Sequence, residues 1–206
     1  LYAPLPTALL FVGIIHICGD IWTIVLFQSG LNRRLILYFG IPGILTGFAG
    51  AALSTHVQSL PMKQILGGFL ILYVGYLLLN RKWRIPEKNS TALVGGCLSG
   101  LFAGLFGVGG AVRGAFLAAF NLPKRVYIFT SGLIALFIDL TRISGYLWSG
   151  TRLRHDLGAA LLLCIPLSFA GAWLAKKFLD RLPGKSFRVF IAVFLALIGI
   201  KLLVWG

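Results

Sequence analysis

Six stretches of this chain are each long and apolar enough to cross a lipid bilayer, and that constrains the fold more than anything else in the sequence. A bilayer core about 30 Å thick takes roughly 20 apolar residues as a helix. The runs fall at about 5–27, 35–53, 64–79, 126–148, 158–178 and 187–204. Composition agrees: 58% of the 206 residues are hydrophobic and 12% are charged. A soluble domain holds about 25% charged residues, so a soluble globular fold and a disordered chain are both excluded. The expected class is an all-α polytopic membrane protein. The opening Leu1-Tyr2-Ala3-Pro4, without an initiator Met, reads as the interior of a longer protein.

The net charge of +14 would suggest nucleic acid in a soluble protein. Here the basic residues sit in short gaps between apolar runs, which points to the membrane surface instead. No nucleic-acid partner is expected. Cys18, Cys97 and Cys164 all lie inside apolar runs, with no CxxC and no clustered His. They read as small hydrophobes, and neither a metal nor any other cofactor is expected.

One stretch breaks the pattern. Residues 91–122 are too many for one span and include Gly95, Gly96, Gly100, Gly104, Gly107, Gly109, Gly110 and Gly114. Glycine costs about 1 kcal/mol per helical position, so two short half-helices around Gly107-Val108-Gly109-Gly110 are expected. In a membrane such a break survives only inside protein or beside a cavity. If the stretch returns to its own side, 13 of the 19 Lys and Arg collect on one face and 4 on the other. If it crosses once, the split is 9 against 8. The positive-inside rule favours a re-entrant hairpin with the basic face cytoplasmic.

The chain also repeats. Gln28-Ser29-Gly30 and Trp148-Ser149-Gly150 each close a span, Pro42 and Pro166 lie in the next, and Gly47 and Gly171 follow five residues on. Leu60-Pro61 matches Leu182-Pro183, with Lys63 and Lys185 two residues further. Thr7 aligns with Thr130, and His16 with Asp139. Three spans per unit, with a hairpin that returns, make the repeat inverted, an architecture of secondary transporters. The expected organisation is 1–80 as the first three-span repeat, 81–90 as a basic cytoplasmic connector, 91–122 as the hairpin and 123–206 as the second repeat. By symmetry a second hairpin would precede Leu1.

A few residues can carry chemistry. Arg113 follows the glycine break, where Gly109-Gly110 open a half-helix. Backbone donors, a positive helix end and a guanidinium fork together suit an oxyanion. Arg113 could instead snorkel to the cytoplasmic edge or pair with Asp139. Thr130-Ser131-Gly132 can supply further donors, or back-bond to their own helix. Asp139 and Arg142 are three apart and share a helix face, as a structural ion pair or a coupling site. His16 and Asp20, four apart, could relay protons. Trp22, Trp148, Trp173, Tyr38 and Tyr146 fall towards span ends, as an interfacial belt would. No nucleophile–base pair is apparent, and His155-Asp156 sits in a loop, so no enzymatic activity is expected.

The segment Gly100-Leu101-Phe102-Ala103-Gly104-Leu105-Phe106-Gly107-Val108-Gly109-Gly110, then Arg113-Gly114, Thr130-Ser131, and Asp139-Leu140-Thr141-Arg142 with Tyr146 resembles the second half of the sulfite exporter TauE/SafE family. Weaker resemblance runs over nearly the whole chain. It implies a multi-pass transporter in the bacterial cytoplasmic (inner) membrane, moving sulfite, sulfonates or thiosulfate, often outward. Gly107, Gly109, Gly110, Arg113, Thr130 and Ser131 would line its site. The family carries two glycine-rich hairpins, and this chain shows the second. Val112-Arg113 also departs from the family's apolar pair followed by proline, which implies a subgroup. An anion channel, a carrier of another small organic anion, a sensor subunit and a homo-oligomer all stay open, as do proton coupling and simple downhill flux.

Overall fold

The computed structural model describes residues 5–28, 30–54, 60–79, 88–153 and 157–205. Among them the chain is helical, and the order is α1 (Leu5–Leu26), α2 (Arg33–Leu35), a π-helical turn (Ile36–Gly40), α3 (Ile41–Leu53), α4 (Leu60–Leu79), α5 (Asn89–Phe106), α6 (Gly109–Ala119), α7 (Lys124–Trp148), α8 (Gly158–Arg181) and α9 (Gly184–Trp205). A helix or helix pair coincides within a few residues with each of the six expected spans, and among the described residues the helices long and apolar enough to cross a membrane are Pro6–Leu26, Arg33–Leu53, Asn89–Phe106, Lys124–Trp148 and Gly158–Arg181. Residues 1–4, Ser29, most of the 81–90 connector and His155-Asp156 lie outside the described residues.

At about 1.5 Å per residue, the 22 residues of α1 and the 25 of α7 exceed the hydrocarbon thickness. Their outer surfaces are apolar. Leu72 is 76% exposed, Leu162 72% and Leu167 68%, and only lipid makes such surfaces stable. No residue of α8 is buried. The second span is not one regular helix. It begins as α2, widens into the π turn, and restarts as α3 with Pro42 in its first turn. That position tolerates proline because its missing N–H needs no partner there.

Glycines set the central packing. Gly43, Gly47 and Gly50 of α3 face Gly96, Gly100 and Gly104 of α5. A Cβ on Gly100 would run into the Gly43 carbonyl oxygen and Thr46 Oγ1, and one on Gly104 into the Gly47 carbonyl oxygen. Small residues allow this approach in lipid, where close packing rather than hydrophobic burial drives helices together. Thr46 Oγ1 lies 2.9 Å from both the Pro42 and Cys97 carbonyls, so its hydroxyl can donate along α3 or across to α5. Gly67 plays the same part between α4 and α9, where a Cβ would sit 2.7 Å from the Gly199 carbonyl oxygen.

The glycine-rich stretch is two antiparallel helices, but they are unequal. The α5 arm has 18 residues, enough to cross by length and composition, while α6 has 11. The two half-helices expected from glycine content therefore become one long and one short arm. Mutual packing stabilises the glycines of α5 more than their propensity disfavours them. The turn forms at Gly107, whose φ of +73° caps α5 in the left-handed region, where a Cβ is disfavoured. Gly109 lies so close to Ser99 and Ala103 that a Cβ would clash with both. Ser99 Oγ donates to the Gly109 carbonyl at 3.0 Å.

Contacts order the helices along the bundle axis. Arg34 Nε donates to Asn89 Oδ1 at 2.6 Å, the Asn32 amide donates to Thr130 Oγ1 at 3.1 Å, and Gly30 abuts Val126. Thus the beginnings of α2, α5 and α7 share one end. The Lys124 ammonium reaches the Leu179 and Leu182 carbonyls, which adds the end of α8 to this group. Arg33, Arg34, Lys88, Lys124, Arg125, Lys176, Lys177 and Arg181 all belong to it. At the opposite end, Tyr146 Oη donates to the Gly104 carbonyl at 2.6 Å, and Leu9, Leu10, Ala51 and Tyr146 form one buried cluster.

Candidate functional site

α1 and α7 run antiparallel, with Gly13 facing Arg142 and Ile143, His16 facing Asp139, and Gly132 facing Thr23 and Ile24. Four of the residues singled out in the sequence meet along this seam. Arg142 Nε donates to Asp139 Oδ1 at 2.7 Å, and both residues are buried, Arg142 at 1% exposure. His16 Nδ1 stands 3.6 Å from Asp139 Oδ2, with about half of its side chain exposed. The Asp20 carboxyl lies within electrostatic reach of Asp139, Arg113 and Arg142. Gly13 makes room for this group: a Cβ there would stand 3.5 Å from Arg142 Cζ. Among the described residues three buried side-chain atoms have no hydrogen-bond partner, and two belong to this seam, Asp20 Oδ2 and Arg142 Nη1; the third is Trp22 Nε1.

Arg113 lies on α6 and turns towards α7, where its Nε donates to Ser131 Oγ at 3.1 Å. It pairs with serine, not with Asp139. Seven residues separate Ser131 from the start of α7, so Arg113 sits about 10 Å from the basic end by helix rise. It is half-buried, and its Nη2 would lie 3.8 Å from a Cβ on Gly110. Gly110 itself is exposed, and no side chain caps the α6 N-terminus. Asp139 lies two turns further along α7 from Ser131, about 12 Å away. Asp20 lies between the two levels and joins them electrostatically.

The other expected site residues are placed differently. Thr130 is fully buried and its hydroxyl accepts the Asn32 amide, so it ties the loop before α2 to α7. Gly107 forms the turn and Gly109 the close contact between the arms. Gly110, Arg113 and Ser131 remain together. Among the aromatic residues, Trp148 is 82% exposed at its span end, as a belt residue would be. Tyr146 is not a belt residue: it is fully buried and holds α5 to α7 through Gly104. Sequence position near a span end could not distinguish these two roles. Two supporting residues were not foreseen. Tyr127 Oη lies 3.5 Å from the Gly114 carbonyl, one residue from Arg113, and Gly13 supplies the clearance for Arg142. An isolated tyrosine or glycine in an apolar run carries no signal of its own.

Among the described residues, five helices are long and apolar enough to cross a membrane, which makes the class a polytopic membrane protein. The sulfite exporter TauE/SafE family model matches residues 1–202. The chain belongs to that family. It is 26% identical over 191 residues to a probable membrane transporter protein of Methanocaldococcus jannaschii, covering 85% of this chain and 70% of the relative. No solved structure matches. The family is one of membrane transporters, and the protein is a multi-pass membrane protein.

Proposed function

We propose that the protein carries a small sulfur-containing oxyanion, namely sulfite, a sulfonate or thiosulfate, outward across the cytoplasmic membrane by alternating access. The observation that carries this reading is Arg113, a half-buried guanidinium between the uncapped α6 N-terminus and Ser131. Burying an arginine within a span costs several kcal/mol unless a function or partner offsets it. A planar fork with a hydroxyl and backbone donors beside it suits two or three oxygens of one anion. The site consists of Arg113, Ser131, Gly110 and the backbone at Gly109, with Gly107 and Thr130 shaping its walls.

The organisation that supports this mechanism is an inverted pair of three-span units, 1–80 and 123–206, with the 91–122 hairpin re-entering from the cytoplasmic face. The shared end of Asn89 and Val126, and the basic residues gathered there, support re-entry. Asp139, Arg142, His16 and Asp20 form a coupling seam in this scheme. A proton moved between the Asp20 and Asp139 carboxyls would change the charge that Arg113 and Arg142 feel, and so the hold on the anion.

The test is sulfite flux in proteoliposomes, wild type beside Arg113→Ala, with thiosulfate, a small sulfonate and chloride as competitors. Saturable flux with counterflow, lost in the variant, supports the carrier. Flux that scales with driving force without saturating indicates a channel. Absence of flux from a folded wild type removes the proposal.

A further inference from the structure

A charged cavity lies at the basic end, away from Arg113. It has a volume of about 340 Å³ and is formed where α1, α7 and α8 meet, lined by Val25, Phe27, Gln28, Arg125, Lys176 and Asp180 among others. Val25, Leu26 and Phe27 form its apolar wall at the end of α1, with Val25 about half exposed. Arg125 of α7 and Lys176 of α8 bring two cations to it. Lys176 Nζ is 5.4 Å from the centre of the Phe27 ring and 3.0 Å from Asp180 Oδ2. Asp180 neutralises only one of these two cations, and the Lys124 ammonium is committed to the Leu179 and Leu182 carbonyls beside them.

We propose that this cavity binds the phosphate of an anionic phospholipid, with the acyl chains lying along the exposed apolar surfaces of α1 and α8. A free phosphate ion would need cations on several sides and no apolar wall. A phospholipid needs a cationic recess at headgroup depth beside apolar helix surface, and here Arg125 and Lys176 stand beside Val25, Leu26 and Phe27 at the end of α1. Basic recesses between helices on the cytoplasmic side suit such headgroups. The level is right, since the cavity lies among the basic residues that end α8 and begin α7. Lys177, on the next residue, stacks its ammonium 3.6 Å from the Trp173 ring centre, an arrangement typical of the membrane–water boundary. The lipid would also have a structural effect. With no buried residue, α8 is packed chiefly on α1, and a headgroup bridging Arg125 and Lys176 would add a second link to α7 beside that of Lys124.

The experiment uses the full chain, purified and delipidated in detergent, with its melting midpoint followed as lipid is added. Phosphatidylglycerol should raise the midpoint and phosphatidylcholine should not. In Arg125→Gln/Lys176→Gln the apparent affinity for phosphatidylglycerol should fall about tenfold or more, because each surface cation contributes roughly fivefold and two are removed. Arg33→Gln/Arg34→Gln, with the same charge change at the same end, should keep the response. Asp180→Asn, which frees Lys176, should strengthen it, and this variant decides the matter if the double variant does not fold. An equal response to phosphatidylcholine, an equal loss in the Arg33/Arg34 control, an unchanged or weaker response in Asp180→Asn, or full reproduction by inorganic phosphate alone would each overturn the proposal.

Discussion

Arg142 and Asp139 are held 2.7 Å apart on one face of α7, with the guanidinium sealed from the surface against Gly13 of α1. The pair is thus both internal to one helix and the centre of a contact between two. Removing one partner strands a buried charge, which costs about 3–5 kcal/mol, whereas replacing both by apolar residues can be neutral. Asp139→Ala should therefore strongly lower the melting temperature in detergent. Asp139→Leu/Arg142→Met should recover much of that loss, yet remain inactive in flux assays. Recovered flux in the double variant would show that the seam is structural only.

Arg113→Ala should reduce anion flux at least tenfold while the melting temperature falls by only a few degrees, because the one hydrogen bond lost, to Ser131, is half-exposed and contributes about 1.5 kcal/mol. Arg113→Lys should also be poor, since an ammonium lacks the paired donors of the fork. Ser131→Ala should act more mildly, chiefly on the half-saturating concentration. Side-by-side flux and melting curves separate these effects from misfolding.

Asp20 is the carboxyl that stands between the Arg113 level and the Asp139 level. Asp20→Asn should preserve the fold and anion counterflow but abolish anion-driven proton movement, read with a pH-sensitive dye inside the liposomes. Unchanged proton movement would exclude Asp20 as a coupling group.

The glycine interface predicts a graded response. Gly100→Ala should cost about 1–3 kcal/mol or prevent assembly, as overpacked interiors do, because the new Cβ meets the Gly43 carbonyl and Thr46. Gly107→Ala adds the left-handed penalty of about 1–2 kcal/mol and a 2.8 Å contact with Leu9. Gly171→Ala, with nothing within 4 Å of its Cβ, should be silent. Size-exclusion profiles and melting midpoints would rank the three.

Topology can be tested directly. Lys88 and Asn121 flank the hairpin and are both exposed. Single cysteines placed there in a chain lacking Cys18, Cys97 and Cys164 should react with an impermeant thiol reagent from the same side of the membrane. Reaction from opposite sides would mean that the segment crosses once.

The sequence by itself determined the helices and the solvent. Runs of about 20 apolar residues can satisfy their backbone in lipid only as helices, so the spans and the break at Gly107 were legible. The His16–Asp20 and Asp139–Arg142 spacings also placed each pair on one helix face. Tertiary structure decided which faces meet. That Arg113 turns to Ser131 rather than Asp139, that Thr130 serves Asn32, that Tyr146 is buried, and that α5 is a full-length arm all depend on contacts between residues tens of positions apart. The glycines were visible in the sequence, but whether each bends the chain or admits a neighbour depends on what packs against it. Gly107 turns and Gly100 packs, whereas Gly171 faces open space, and no local pattern distinguishes them.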